Sequence, residues 1–209
     1  MSEPLKSLLS AADSALGGDA QADSLQAWGA IGRELMTLLM RRNGFYAFES
    51  ALLVRPVQNG QVPLGIQEWN NPALWKRSYA ERLDDVLFFA EDVFGGQFCV
   101  RGNRIGTFEP ETGLISELAG SIDEWAEQIL ARPNYLTGYP LSHTWQMTNG
   151  PLPHGTRLVP KTPFVLGGKY ELANLHAMRD AESMSFRASI ANHIRDVPDG
   201  GKVILRIKT

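Results

Sequence analysis

The residues in this chain best suited to chemistry are two close pairs of carboxylates, Glu91 with Asp92 and Glu109 with Glu111. Two carboxyl groups held at different pKa values can serve as general acid and general base in a hydrolysis. The first pair is poorly placed for that work, because neighbours on a strand point to opposite faces. Asp92 and Glu109 read more simply as organisers of turns at strand ends. The other reactive side chains do not assemble either. Cys99 stands between Phe98 and Val100 with no histidine within 40 residues in sequence, and a thiol buried among apolar side chains is inert. The histidines His143, His154, His176 and His193 are 11, 22 and 17 residues apart. None is at the i, i+4 spacing of a helical metal site, and no second cysteine supports one. There is no G-x-S-x-G elbow and no phosphate loop ending in Gly-Lys. No catalytic residue, metal or cofactor is expected from this pattern.

The elements that would carry these residues follow from periodicity. Residues 23–42 place Leu25, Trp28, Ile31, Leu35, Leu38 and Leu39 on one helical stripe, with Asp23 or Ser24 as cap. Residues 45–57 are rich in aromatic and aliphatic side chains and read as a strand or a buried bridge leading into the sheet. Residues 68–85 read as a loop and short helix. Three short strands follow, 86–90, 96–101 and 104–109, with Gly102-Asn103 as a hairpin turn. Ser121 and Glu124 form a capping box ahead of Ile122, Trp125, Ala126, Ile129 and Leu130, one apolar helical face. From Pro133 the frequency of proline and glycine predicts loops and short strands. A helix is expected at about 181–195, with Met184 or Phe186, Ile190 and Ile194 inward and Arg179, Arg187 and Arg195 as a solvated face. A final strand is expected at 202–208. The fold class is therefore α+β: a mostly antiparallel sheet of about five to six strands covered by helices. The expected organisation is a core over 1–134 with its N-terminal helix, and a smaller C-terminal extension over 135–209 packed on it.

Composition narrows the class further. The chain has 209 residues, 44% of them hydrophobic, enough to bury a sizeable core. The net charge of -3 gives no global drive toward nucleic acid or anionic membrane. Its distribution is uneven: residues 81–130 hold 11 acids against 3 bases, and residues 131–209 hold 5 acids against 10 bases. The lone cysteine, and a start without a basic stretch leading into a long apolar run, fit a cytoplasmic protein.

The run VLFFAEDVFGGQFCV, the hairpin GNRIGTFEPETG and the helix SIDEWAEQIL, in that order, resemble the central part of the SUKH superfamily. That family includes the yeast cell-wall-assembly regulator and many bacterial immunity proteins. The segment MRRNGFYAFESALLV resembles the stretch that precedes the family's sheet, so the resemblance spans about residues 25–132. The tail looks like an extension carried by a bacterial subset. The resemblance implies a non-enzymatic protein-binding module, of the immunity or antitoxin kind, that neutralises a toxin such as a basic nuclease. An acidic surface would steer such a partner. The candidate contacts are Asp84, Asp85, Glu91, Asp92, Glu109 and Glu111, with Trp69 and Trp75 as exposed aromatic anchors. The alternatives are a regulatory or scaffold protein that binds a cellular partner through the proline-rich tail, and a hydrolase using Glu91, Glu109 or a histidine of the tail.

Overall fold

The computed structural model describes residues 1–58, 60–80, 83–198 and 201. The strand expected at 202–208 lies outside them. In chain order the elements are α1 (Glu3–Ser10), α2 (Gly29–Leu39), β1 (Phe45–Ala47), β2 (Leu52–Val54), α3 (Ile66–Trp69), β3 (Val86–Asp92), β4 (Gln97–Arg101), β5 (Arg104–Glu109), β6 (Leu114–Ala119), α4 (Ile122–Ala131), α5 (Pro133–Thr137), α6 (Tyr139–Asn149), β7 (Thr156–Pro160), β8 (Leu175–Arg179) and α7 (Asp180–Ile194). Strands β1 to β6 form one antiparallel meander in sequence order, and β7 pairs with β8 in a separate hairpin. The class is α+β, with the six-stranded antiparallel sheet as its centre.

Period-two alternation makes the sheet two-faced. Leu87, Phe89, Phe98, Val100 and Ile105 point to one side, where Leu8 of α1, Leu35 of α2 and Trp125 of α4 cover them. Trp125 packs edge-on to Phe89 and Phe98 at ring separations of 5.2 and 5.7 Å. Val86, Phe88, Cys99 and Phe108 point to the other side, against Trp69, Trp75 and Tyr79 and against Met184, Ala188 and Ala191 of α7. Helix α4 is capped as expected. The Ser121 hydroxyl accepts from the Glu124 N–H at 3.1 Å, and the Glu124 carboxylate accepts from the N–H of Gly120, one residue before the cap, at 2.7 Å.

Four expectations need correction. The helix expected over 23–42 begins only at Gly29, whose φ of +65° breaks the backbone between the short turn 26–28 and α2. Residues 114–119, not foreseen as a strand, form the edge strand β6, half exposed and so without an apolar run. The proline-rich stretch after 133 holds two helices rather than loops, because proline stands in the first turn of each, where a missing N–H costs nothing. In α7 two positions depart from expectation: Arg187 is 2% exposed and points inward, while Phe186 is 38% exposed; Met184 and Ile190 are buried and Arg179 and Arg195 are exposed as expected.

The C-terminal part grips the sheet at two places. Helix α6 holds the β1–β2 turn, where Phe48, Glu49 and Ser50 all have positive φ. Tyr139 Oη donates to the Glu49 carboxylate at 3.1 Å, and Gln146 donates to the Glu49 carbonyl at 2.8 Å. The second place is a buried ion cluster at the end of β3.

Candidate functional site

The end of β3 carries Glu91 and Asp92 to opposite destinations. Glu91 faces the covered side of the sheet and is wholly buried. Its Oε1 accepts from Arg157 Nε at 2.7 Å and pairs with Arg55 Nη2 at 3.0 Å, and its Oε2 accepts from Gln97 Nε2 at 2.8 Å. Arg55 also reaches Asp180, at the start of α7, at 2.9 Å, and its guanidinium lies 3.5 Å from the ring centre of Trp69. The Trp69 indole donates to Gln97 Oε1 at 2.9 Å, which completes the amide's bonding. Burial alone would raise the Glu91 pKa, but Arg157 and Arg55 more than offset it and hold the carboxyl below the usual range. This cluster of two arginines and two acids joins the meander to β7 and α7. The cluster is closed to solvent and its charges pair with one another, although Arg55 Nε and Arg157 Nη2 have no hydrogen-bond partner among the described residues, so it is structural.

Asp92 folds back on its own turn. Its Oδ1 accepts from the N–H groups of Phe94 and Gly96, each at 2.8 Å. It stands at the base of a cleft of about 430 Å³ at the open end of β3, β4 and β5. Gln97, Phe108 and Glu109 form one side of that cleft, residues 134–136 and Gly138 another, and Phe94 and Tyr170 a third. Gly138 has φ +74°, and a Cβ there would stand 2.4 Å from the Phe94 ring, so α5 can close on the cleft wall only with glycine at this position. Phe164 stacks on Tyr170 at 3.8 Å, and Phe94 meets both edge-on. Glu111 fixes that aromatic wall, because its Oε2 accepts from the Val165 N–H at 2.9 Å.

The electrostatics follow from this packing. Burial, and then the neighbouring Glu109, push the Asp92 carboxyl up to about 7, against the two backbone donors and Arg187, which pull it down. Burial likewise raises Glu111 and pushes the Tyr170 phenol up to about 12. Arg187 lies behind the cleft, where its Nη1 would be 3.2 Å from a Cβ on Gly95. Its Nε and Nη2 are buried without a hydrogen-bond partner among the described residues.

Of the eight residues that the sequence suggested as partner contacts, the structure brings only Asp92 and Glu109 together at an open surface. Trp69 and Trp75 are 0% and 1% exposed, core residues rather than anchors, because the sheet's second face needs them against Phe88 and α7. Glu91 is locked between two arginines. Glu111, 2% exposed, holds a loop. Asp84 and Asp85 are exposed, but they precede β3, so Asp85 stands roughly 23 Å from Asp92 at about 3.3 Å per strand residue. Asp85 pairs there with Arg101 at 3.0 Å. The cleft's aromatic residues Tyr135 and Tyr170 were missed; they are 81% and 63% exposed. Each stands singly in a polar stretch, so periodicity does not mark it. The Cys99 thiol is buried and pushed up to about 12 by burial. Among the described residues no group of three or more His, Cys, Asp or Glu could hold a metal ion, and no helix is long and apolar enough to cross a membrane.

No protein-family profile matches the chain, and no curated protein matches it in sequence. Its fold is similar to the crystal structure of Atu4351 from Agrobacterium tumefaciens, with a TM-score of 0.60 and 11% sequence identity over 90% of this chain and 88% of that one. At that identity the likeness shows a shared fold alone.

Proposed function

We propose that this chain is a non-enzymatic protein-binding module of the SUKH type, an immunity or antitoxin-like protein that holds a basic partner, such as a toxic nuclease, against its acidic cleft in the cytoplasm. The observation that supports it best is the cleft's make-up: the carboxylates of Asp92 and Glu109 beside the solvent-exposed rings of Tyr135 and Tyr170. Exposed tyrosines beside a concavity are what hot spots are built from, since they bury large area at small entropic cost. Carboxylates at the same place favour a basic partner and speed its approach. The test is co-production with the protein encoded beside this one, with growth rescue and complex formation followed at low and high salt. A complex that weakens with salt and is lost in Glu109→Lys supports the reading. Failure of any neighbouring product to bind, or indifference to both perturbations, overturns it.

A second reading has its own observation. Asp92, held near neutrality next to Glu109, is a candidate acid beside a candidate base. Against it, Asp92 Oδ1 is committed to two backbone donors, which leaves one oxygen for proton transfer. In this hydrolase reading the partner is consumed rather than held, and Glu109→Gln stops its breakdown without weakening its capture.

A further inference from the structure

The cleft's chemistry points to a particular kind of occupant, and this step rests on the binding reading above. We propose that the cleft is a socket for one protonated side chain, an arginine or lysine presented on a projecting loop of the partner.

The walls are aromatic and held rigid. Tyr170 is stacked on Phe164 at 3.8 Å with 9° between the planes, and Phe94 braces both at 5.8 and 5.5 Å. Ring faces attract guanidinium and ammonium groups, and the apolar stem of such a side chain suits the same walls. The base of the cleft is anionic. Asp92 Oδ1 is used by its turn, and Glu109 Oε1 accepts from the Glu111 N–H at 3.1 Å, so each carboxylate retains one oxygen for a ligand. Gln97 adds no competing donor, because its Nε2 is spent on Glu91 and the Gly95 carbonyl. The nearest cation, Arg187, is walled off behind Gly95 and does not line the cleft. An anion would face two carboxylates, and an apolar side chain would bury them without compensation. A cation satisfies both walls and base.

Proton linkage adds a second signature. The groups that face Asp92 are Glu109 from β5, Arg187 from α7, the Tyr170 phenol across the cleft and the Phe94 and Gly96 N–H groups of its own turn. In the free protein the carboxyl sits at about 7. A bound cation favours the ionised form, so binding expels a proton at neutral pH and weakens as pH falls through about 7, by up to tenfold per unit.

The experiment titrates the whole chain with Nα-acetyl-arginine methylamide, its lysine counterpart, the uncharged norleucine counterpart and spermidine, followed by backbone amide NMR. The arginine or lysine probe is expected to shift the Gly96, Thr107 and Gly138 amides saturably, with a dissociation constant of roughly millimolar. The norleucine probe should leave them in place. Glu109→Gln and Tyr170→Leu should each weaken the probe by roughly three- to tenfold, whereas Glu127→Gln, on the exposed side of α4, should not. The absence of saturable shifts, equal binding of the norleucine probe, or much tighter binding of spermidine than of either amino-acid probe overturns the proposal. The last outcome would make the cleft a small-amine site. If the probes fail while Glu109→Lys still abolishes a partner complex, the binding reading survives and the socket does not. If the probes bind but no neighbouring product does, the socket survives and the reading falls.

Discussion

Replacing Glu91 by glutamine is the sharpest test of its assignment as a structural residue. The substitution keeps the shape and an acceptor for Gln97, but it removes the charge between two arginines that are themselves 0% and 1% exposed. At about 3 Å and an effective dielectric near 20, each pair is worth about 5 kcal/mol of Coulomb energy, most of it returned as desolvation. What remains after the change is two buried guanidinium groups and one carboxylate, Asp180. Breaking one partner out of a buried pair costs about 3–5 kcal/mol, a large share of the 5–15 kcal/mol by which a typical domain is stable. With a urea slope of about 2–3 kcal/mol per molar, the midpoint should fall by about 1–2 M, read by tryptophan fluorescence and far-UV circular dichroism together. The pH dependence has a fixed sign. The Glu91 carboxyl is held below its ordinary value of 4.5 in the folded state, so its stabilisation is full above that value and is lost as pH falls through its own lower pKa. The gap between wild type and Glu91→Gln should therefore close in strong acid. A midpoint change under about 0.3 M at neutral pH would refute the reasoning and return Glu91 to the surface contacts.

Three further outcomes follow from the same geometry. Asp92→Asn keeps an oxygen acceptor for the Phe94 and Gly96 N–H groups and removes a charge whose folded pKa is raised from 3.8 to about 7. It should stabilise by about 1–2 kcal/mol above pH 7, a gain that shrinks as pH falls through that interval and vanishes below it, in thermal melts across pH. Gly138→Ala must adopt φ +74° and displace the Phe94 ring, and should cost about 2–3 kcal/mol in urea unfolding while shifting the Tyr170 ring resonances. A chain ended after residue 134 would lose α7 from the Trp75 and Phe88 face, and Arg157 and Asp180 from the ion cluster. It should bind a hydrophobic dye and lack near-UV dichroism, so partner binding by that fragment is no test of where recognition lies.

The sheet's centre was legible because its signals are local. Gly102-Asn103 bends β4 onto β5, and Ser121 with Glu124 starts α4; each needs only its neighbours in sequence. The α+β class followed from those elements. What stayed hidden depends on partners far along the chain. Nothing near Glu91 announces Arg55 or Arg157, so an acid in an apolar strand read as surface. Arg187 read as solvated because arginine on a helix usually is, whereas here Asp92, Glu111 and Tyr79 lie close enough to feel its charge from inside. Trp69 and Trp75 read as exposed because the α7 residues that cover them lie about a hundred positions later. Pro133 and Pro140 read as breakers although each stands at a helix start. The cleft combines residues of β3, β5, α5 and the loop at 170, and no window of sequence contains them all.

The proposed recognition site is the cleft of Asp92, Glu109, Tyr135 and Tyr170. A calorimetric titration tests it: the full chain against any basic protein found to be encoded beside it, in wild type and in Glu109→Lys with Tyr170→Ala. Recognition at the cleft requires a salt-sensitive complex in wild type, release of up to one proton per complex near pH 7, and a loss of at least a hundredfold in affinity in the double variant. A complex of unchanged affinity in the double variant, with no proton released, would contradict it.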